Sequence, residues 1–384
     1  MKKNKILFVH ANNHEIGGAD YCLFKMTFEM NRLGYETLVL LSKRTSIVEL
    51  YEKNGLSVIV KPILRIQKTI NPIRLFGYIF SFSRSLLLII KVIKQNHINI
   101  VHSNDLLDFT ANIAAKITGV ISIQHVRMIV KGLLKVVLSR ISLYFSDQVL
   151  AVSFGLKQTM FGPEEQKVKV LYDWIDIDLV EHQIGNSNLR VELNISDDIK
   201  IIGCVGRLES WKGQHIFIEA ALEVLRKYEK CVFVIVGGTV KGKESYLKEL
   251  KNLVRTHKIE EKVFFLGERK DVANLFSQFN LSVHSSIEPD PFPGVVLESL
   301  VNGCVIIGAN GGGVPEEIDE DITGLLYEPG NHKELSEHIF RLLSDDDKLN
   351  KLKINTRRVI LTKFDKHEII KRLDSIYSTL LEQK

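Results

Sequence analysis

Short apolar runs alternate with longer mixed stretches along almost the whole chain. In the first half the runs are residues 5–10, 36–42, 57–61, 99–103, 120–124, 148–153 and 168–172. In the second half the pattern restarts with residues 201–206, 231–237, 262–267, 281–286, 304–309 and 324–329. Runs rich in β-branched residues, separated by stretches long enough for helices, are typical of parallel strands buried on both faces. The pattern therefore predicts two doubly wound α/β domains.

A less apolar stretch from Asp173 to Lys200 interrupts this alternation and predicts a connection between the domains. We assign the first Rossmann-like domain to residues 1–175, the connection to 176–199 and the second Rossmann-like domain to 200–364. The length of 384 residues fits two domains, because single cores seldom grow beyond roughly 250–300 residues. Ligands of doubly wound sheets bind at the carboxyl ends of the strands. A cleft between two facing domains would therefore surround one ligand with both sets of strand ends.

The composition is that of an ordinary globular protein, with 45% hydrophobic and 25% charged residues. The apolar run after the basic N-terminus is too short for a signal peptide. The longest apolar run, residues 85–90, is far shorter than the roughly 20 residues of a membrane-spanning helix. The four cysteines show no C-x-x-C spacing, which argues against a zinc site or a disulfide framework. We therefore expect a cytoplasmic protein without a metal site.

Basic residues are concentrated in the first half of the chain. The overall net charge of +5 divides into about +12 over residues 1–170 and about −7 over the remainder. Residues 61–94 contain seven cations and no acid, and residues 127–140 combine Arg127, Lys131, Lys135 and Arg140 with bulky apolar residues. This composition suits a surface that lies on anionic lipid, at the inner face of the cell membrane. An amphipathic helix with a solvated basic face would give the same pattern, because its apolar side must cover a sheet.

Candidate binding residues follow the strands of the first half. Gly17 and Gly18 lie just before a helical run, where free N–H groups and a close backbone approach could bind a phosphate; a plain turn is the alternative. No G-x-G-x-x-G sequence follows any strand, which argues against a standard dinucleotide site. His10, His102 and His125 are predicted at strand ends, where a histidine is often only a hydrogen-bonded loop residue.

Two cations follow the first strand of the second half. In the stretch GRLESWKG, residues 206–213, Arg207 and Lys212 flank a turn that leads into a predicted helix. Arginine offers a fork of donors and lysine a point charge, so the two together could bind a diphosphate.

The stretch EPDPFPGVVLE, residues 288–298, has three acids and three prolines in a loop that leads into a short helix. Residues that precede proline are held extended, which stiffens the path of Asp290 and Phe292. Glu298 shares a helix face with Gly294 and Val295, beside an N-terminus that favours anions. A carboxylate there suits ribose hydroxyls better than phosphate. The pattern therefore describes a ligand made of a sugar and a diphosphate, with the glycine loop at residues 310–318 on the same rim.

These motifs resemble those of a known family. The segments GRLESWKG, FVIVGG, VFFLGERKDV, VHSS, DPFPGVVLESLVNG, NGGGVPEEI and ITGLLYEPG, in this order and spacing, resemble the retaining GT-B glycosyltransferases of family four, also called glycosyl transferases group 1. The N-terminal GGAD resembles the family's glycine loop, and YDWID, residues 172–176, stands where the family has Asn-Gly-Val-Asp. The resemblance covers nearly the whole chain and is stronger in the second half.

The family signature has two glutamates separated by seven residues. Counting back from Glu298 leads to Asp290, a shorter carboxylate, and passes over Glu288. The resemblance implies that Glu298 binds the ribose of a nucleotide sugar and that Asp290 faces the hexose. The further donor-binding positions that it implies are Arg207, Lys212, Gly17, Gly18, Phe292, Gly294, Val295, Gly267 and Arg269. The last two would lie beside the uracil or guanine base, and Pro293 removes one N–H donor that many relatives offer.

The implied reaction transfers a hexosyl unit from a nucleotide-diphosphate sugar, such as a UDP-sugar, with retention of configuration and no cofactor or metal. Arg207 and Lys212 would stabilise the leaving diphosphate, Asp290 would contact the transferred sugar, and His125 matches the family's histidine on the acceptor side. The last helix, residues 365–384, would cross back onto the first domain. The sequences DID, residues 176–178, and DDD, residues 345–347, are interpreted as solvated or capping carboxylates rather than metal ligands.

The acceptor is expected to be a saccharide, with a lipid-linked saccharide of surface polysaccharide synthesis suggested by the basic first domain; nucleic acid is not expected as a partner. Two other functions fit the same shell. A non-catalytic GT-B subunit would stabilise a partner transferase, and its expected mark is loss of the two cations or of Glu298. A nucleotide-sugar epimerase would release free sugar products without an acceptor.

Overall fold

The structure of the protein is a computed structural model that describes residues 4–12, 17–64, 72–175, 187–240 and 242–384. The chain divides into two compact units. The first unit comprises Met1–Asp173 together with His367–Lys384, and the second comprises Trp174–Lys366. Much of the predicted connection, residues 176–186, lies outside the described residues, as do Arg65 and Lys68 of the basic stretch.

The first unit is built on a parallel sheet of seven strands in the order β3-β2-β1-β4-β5-β6-β7. The strands are β1 (Lys5–His10), β2 (Glu36–Leu41), β3 (Ser57–Val60), β4 (Ile100–Ser103), β5 (Ile121–Val126), β6 (Gln148–Ala151) and β7 (Val168–Val170). The helices are α1 (Gly18–Arg32), α2 (Ser46–Lys53), α3 (Pro72–Gln95), α4 (Phe109–Thr118), α5 (Gly132–Phe145), α6 (Phe154–Met160) and, from the end of the sequence, α15 (Lys366–Glu382).

The second unit has a parallel sheet of six strands in the order β10-β9-β8-β11-β12-β13. The strands are β8 (Lys200–Val205), β9 (Cys231–Val236), β10 (Val263–Gly267), β11 (Leu281–His284), β12 (Val305–Ala309) and β13 (Gly324–Tyr327). The helices are α7 (Leu189–Leu193), α8 (Gln214–Leu225), α9 (Glu244–Thr256), α10 (Val272–Gln278), α11 (Gly294–Val301), α12 (Val314–Glu317), α13 (His332–Leu343) and α14 (Asp346–Lys363).

Strand β9 shows why the apolar runs become central strands. Successive side chains of a strand point to opposite faces of the sheet. Cys231, Phe233 and Ile235 pack in the core on one side of this sheet, whereas Val232, Val234 and Val236 pack in the core on the other. A run without polar residues is therefore required, because helices cover both faces.

Both sheets change direction once along their strand order. In the first unit the change lies between β1 and β4, and in the second between β8 and β11. Loops that leave the carboxyl ends of such a neighbouring pair diverge and leave a crevice between them, which is where doubly wound sheets bind ligands. Searched over the described part of the chain, no helix has the length and hydropathy to cross a bilayer.

Candidate active site

The loops after β8 and β11 meet at the point where the second sheet changes direction. The 3-10 helix Ser210–Lys212 in the first loop is fixed by two hydrogen bonds. The Ser285 hydroxyl donates to the Lys212 carbonyl at 2.9 Å, and the Ile287 amide donates to the Trp211 carbonyl at 2.8 Å. Gly213, at φ +70°, follows directly, and a Cβ there would lie 1.9 Å from the Ser285 carbonyl oxygen. The two loops are therefore held together by close backbone contact.

Lys212 and Asp290 form an ion pair across these two loops. The Lys212 ammonium lies 2.5 Å from a carboxylate oxygen of Asp290, and the two side chains are only 17% and 8% exposed. Nε2 of His284 lies 3.4 Å from the same oxygen and 3.0 Å from the Ser286 hydroxyl. Burial alone would raise the pKa of Asp290, but the charge of Lys212 and the hydrogen bonds hold this pKa well below its usual range. Asp290 is thus a charged carboxylate.

The glycine loop after β12 supports the backbone of Asp290. The Gly313 amide donates to the Asp290 carbonyl at 2.8 Å, and Gly312 pairs with Asp290 as an isolated parallel bridge. Gly312 has φ +64°, and a Cβ at this position would lie 1.9 Å from that carbonyl oxygen. Only glycine allows this approach, so the glycine loop fixes the backbone that carries the Asp290 carboxylate.

Helix α11 places Glu298 as the sequence predicts, on a face with Gly294 and Val295. Glu298 and Gly294 are exposed and Val295 is half-buried, whereas the opposite side of the helix is packed in the core. Phe292, in contrast, contacts Phe364 within the second unit, with ring centroids 5.5 Å apart. Its aromatic ring therefore has a packing role here besides any role in donor binding.

Arg207 and Lys212 do not share one partner. Arg207 is directed to Glu209, with Nη2 3.5 Å from the carboxylate, whereas Lys212 pairs with Asp290. Lys243, from the connection after β9, contacts the other oxygen of Glu209. Glu209, Lys243 and His284 were absent from the sequence prediction. In the sequence, only the position of Glu209, two residues after Arg207, indicates that it could contact that cation.

The two predicted base-binding positions, Gly267 and Arg269, differ in how accessible they are to a ligand. Gly267 is exposed at the end of β10, with φ +67° and open space around its Cα. Arg269 instead forms ion pairs with Asp271 and Glu192, each at 2.7 Å. The hydrogen bonds that the guanidinium donates to Asp271 and then Glu192 raise the pKa of Arg269 above its usual value. Base contacts from Arg269 would therefore come from its backbone or from its aliphatic part.

In the first unit, Gly17 and Gly18 lie at the start of α1. The Gly17 amide donates to a carboxylate oxygen of Asp20 at 2.9 Å, while Gly18 is exposed with open space around its Cα. His10 lies 3.7 Å from Asp20 and 3.0 Å from Asp108, which follows β4. Burial lowers the pKa of His10, but Asp108 and Asp20 more than offset this, so that the pKa is raised above 6.5. A buried ionic cluster thus connects the end of β1 with the first turn of α1.

His125 lies at the carboxyl end of β5, close to its predicted position. Strand β5 continues to Val126, so His125 is the second-to-last residue of the strand, and its side chain is fully buried. His102 is likewise enclosed, and its Nδ1 lies 2.7 Å from the Tyr377 hydroxyl. Burial, followed by the charge of Arg127, keeps the pKa of His125 well below its ordinary value. His125 is therefore a neutral, enclosed side chain, and its contact with an acceptor stays a prediction.

Arg127 is the centre of the polar cluster around His125. Its guanidinium pairs with Asp173, donates to Asn104 at 3.0 Å and lies 3.4 Å from Nδ1 of His125. Asp173 also accepts a hydrogen bond from the Cys22 thiol at 3.2 Å. Arg127 is thus an internal structural cation rather than a member of the predicted lipid surface. Within the described ranges, no group of three or more His, Cys, Asp or Glu residues is arranged to hold a metal ion.

Two parallel, doubly wound units with polar residues at the strand ends define the GT-B fold. Residues 186–359 match the family model described as Glycosyl transferases group 1. This match covers most of the second unit, and the chain has the fold of the GT-B glycosyltransferases.

Three comparisons illustrate the relationship. Spore coat protein SA of Bacillus subtilis is 28% identical over 243 residues, which are 60% of this chain and 64% of that protein. The capsular polysaccharide biosynthesis glycosyltransferase CapM of Staphylococcus aureus is 24% identical over 252 residues, 64% of this chain and 65% of that protein. The crystal structure of Anabaena Alr3699/HepE in complex with UDP-glucose is 25% identical, with a TM-score of 0.81 over 98% of this chain and 99% of that one. The aligned region thus spans just under two thirds of each curated relative.

Proposed function

We propose that the protein is a retaining glycosyltransferase that transfers a hexosyl unit from a nucleotide-diphosphate sugar to a saccharide acceptor. One observation supports this most directly. At the direction change of the second sheet, the charged carboxylate of Asp290 and the ammonium of Lys212 lie side by side, and Glu298 is exposed on α11, the helix that follows the loop of Asp290. The complex of the Anabaena relative with UDP-glucose supports a nucleotide sugar as the donor.

The proposed reaction breaks the bond between the anomeric carbon and the diphosphate oxygen. A bond from the anomeric carbon to the acceptor oxygen forms on the same face, and the acceptor proton moves to an oxygen of the leaving diphosphate. Negative charge grows on that diphosphate in the transition state, so cations fixed before the reaction lower the barrier most effectively. We assign this role to Arg207 and Lys212, hexose contact to Asp290 and ribose contact to Glu298. No metal ion is needed in this scheme.

Thermal-shift measurements with UDP-, GDP- and ADP-sugars test the donor, because a ligand that binds the folded state raises the apparent stability. Transfer or donor hydrolysis is then measured with the sugar that binds. Arg207→Ala and Glu298→Ala are expected to lose at least about tenfold in kcat/KM, since each removes a charged contact.

Glu288→Ala is the matched control for Glu298→Ala, because Glu288 is an exposed acid of the loop before α11 and lies outside the proposed contacts. Full turnover by both folded site variants contradicts the enzyme proposal. Donor binding without turnover favours a non-catalytic subunit. Free sugar formed without any acceptor favours an epimerase.

We assign the acceptor to the first unit and propose that it is lipid-linked, with the enzyme at an anionic membrane surface. Helix α4 packs between α3 and α5, and none of these three helices contains an acidic residue. Large apolar side chains are exposed on all three: Ile79, Phe80, Leu87, Ile117, Leu133, Leu134, Val136, Val137 and Tyr144. Arg84, Lys91, Lys94 and Arg140 are exposed on the same helices. Apolar and cationic residues together suit an anionic lipid interface.

Sedimentation with phosphatidylglycerol and phosphatidylcholine vesicles tests this surface. The double variant Leu133→Glu/Phe80→Glu is expected to bind the anionic vesicles at least about tenfold more weakly. It removes apolar area that would be buried in the lipid, and its two carboxylates are repelled by the anionic headgroups. Ile354→Glu, an equally exposed position of the second unit, is the control. Equal binding of all three proteins, or no preference for anionic vesicles, contradicts the membrane proposal and leaves the donor assignment untouched.

A further inference from the structure

Glu209 orients two cations that come from different loops. Nη2 of Arg207 lies 3.5 Å from one carboxylate oxygen, and the Lys243 ammonium contacts the other. The carboxylate is 8% exposed, whereas the side chains of Arg207 and Lys243 are each 54% exposed. The anion is therefore enclosed while the two positive charges remain accessible to a ligand.

The two loops lie side by side at the carboxyl edge of the sheet. Arg207 follows β8, and Lys243 lies in the connection after β9, the parallel neighbour of β8. The first residues of these loops touch, because a Cβ on Gly237 would lie 1.9 Å from the Gly206 carbonyl oxygen. Lys243 thus reaches the edge at which Lys212 and Asp290 also lie.

Trp211 connects the two ion pairs. Its side chain hydrogen-bonds to Glu209, and its ring lies 4.3 Å from the Lys212 ammonium. Burial would raise the pKa of Glu209, but the hydrogen bond from Lys243 and the charge of Arg207 hold this pKa below its usual value. The connected group therefore contains the three cations Arg207, Lys212 and Lys243 and the two carboxylates Glu209 and Asp290, which leaves one positive charge in excess.

We propose that Lys243 is a third cation of the donor site, which binds the diphosphate of the nucleotide sugar beside Arg207, and that Glu209 is the positioning residue for both. The inference rests on the proposed function, since it adds a residue to that same site. A diphosphate offers several oxygens in different directions, so a lysine point charge complements the planar fork of an arginine. Half-exposed cations that Glu209 already orients lose less side-chain entropy on ligand binding than cations without such a partner.

Calorimetric titration with UDP, GDP and ADP tests the role of Lys243. For the nucleoside diphosphate that binds the wild-type protein, Lys243→Ala is expected to weaken binding by about 3- to 10-fold, the lower range for a charged hydrogen bond at a half-exposed site. The factor is expected to fall toward one in about 0.5 M salt, because salt screens exposed charges. Lys248→Ala is the matched control, since Lys248 is an exposed lysine on α9. Lys243→Arg is expected to retain most of the affinity.

Glu209→Gln tests the positioning role. This variant is expected to bind the same nucleoside diphosphate about 3-fold or more weakly at low salt, because Arg207 and Lys243 lose the carboxylate that orients both. Its thermal midpoint without ligand shows whether the fold is kept. Tighter binding by Glu209→Gln would mean that the carboxylate competes with the ligand, which overturns the positioning role.

The outcomes separate this inference from the proposed function. If the wild-type protein binds a nucleoside diphosphate and Lys243→Ala matches the Lys248→Ala control, only the inference about Lys243 is wrong. If the wild-type protein binds none of the three nucleotides, the donor assignment fails and the inference with it.

Discussion

At the scale of single residues, the Asp290–Lys212 pair decides the charge of the candidate site. The pair is nearly enclosed, and it joins residues from two loops that are far apart in the sequence. Neutralising Asp290 would leave Lys212 without its anion in a poorly hydrated position, which is much more costly than losing an exposed ion pair. The pair therefore stabilises the second unit as well as serving the proposed reaction.

Asp290→Asn is expected to lower the free energy of unfolding by about 2–4 kcal/mol at neutral pH, measured by urea denaturation. Asp198→Asn is the control, because its pair with Lys230 is exposed on both sides, and little change is expected there. Since the pKa of folded Asp290 is depressed, its contribution is complete above the unfolded pKa of about 3.9 and is lost as the pH falls toward the folded pKa. The difference in unfolding free energy between the wild type and Asp290→Asn should thus become smaller only below about pH 4. A difference in unfolding free energy that stays constant down to about pH 3 would contradict the ion-pair assignment.

The pairing itself could not be read from the sequence. Both residues were predicted at the donor, from strand ends and from the family motif, but neither source states which charges meet before a ligand binds. Lys243 was missed for a related reason, because its loop has no family motif and only the contact of β8 with β9 brings it to Glu209. The full burial of His125 does not follow from the sequence, because a histidine near a strand end is often an accessible loop residue.

At the scale of elements, the strands follow the sequence closely. Each apolar run that was predicted as a strand forms one, with ends that differ by at most two residues. The agreement has a physical cause, since strands covered on both faces exclude polar residues along their length. Loops have no such constraint, and their precise paths depend on close contacts such as the one at Gly213.

Gly213→Ala tests the turn that fixes Lys212. A residue with a Cβ is strained at φ +70°, and here the added atom would also meet the Ser285 carbonyl at 1.9 Å. The backbone must therefore shift, and we expect a loss of about 2–4 kcal/mol in unfolding free energy together with weaker donor binding.

Gly242→Ala is the matched control, because Gly242 has φ +82° with open space around it. Only the cost of the left-handed backbone, about 1 kcal/mol, is expected there. Equal losses in the two variants would show that the close contact at Ser285 has no energetic role.

At the scale of the whole molecule, α15 completes the first unit although it follows the second in the sequence. Tyr377 is fully buried and contacts His102, and the Tyr35 hydroxyl donates to Asp374 at 2.6 Å. The assignment of residues 365–384 to the first domain came from the family resemblance. The composition of this helix alone would let it pack on either domain.

Tyr377→Ala is expected to destabilise the first unit by about 3–5 kcal/mol, since it leaves a large cavity in a buried site. Both tryptophans, Trp174 and Trp211, belong to the second unit, so their fluorescence reports that unit while far-UV circular dichroism reports both. The dichroism transition in urea should move to lower concentration while the fluorescence transition and nucleotide affinity stay in place. An equal shift of both transitions would show that the two units unfold as one.

The same arrangement has a consequence for synthesis on the ribosome. Chains emerge at about 5–20 residues per second, and domains generally fold as units, the N-terminal one first. Here the unit that emerges first is incomplete until the residues of α15 arrive, whereas Trp174–Lys366 is continuous in sequence. The nascent first sheet must therefore wait, with the surface that later receives Tyr377 and Leu373 uncovered, while the unit made after it can already close. For this protein the order of translation and the order of completion are therefore reversed, because the unit that is made first is completed last.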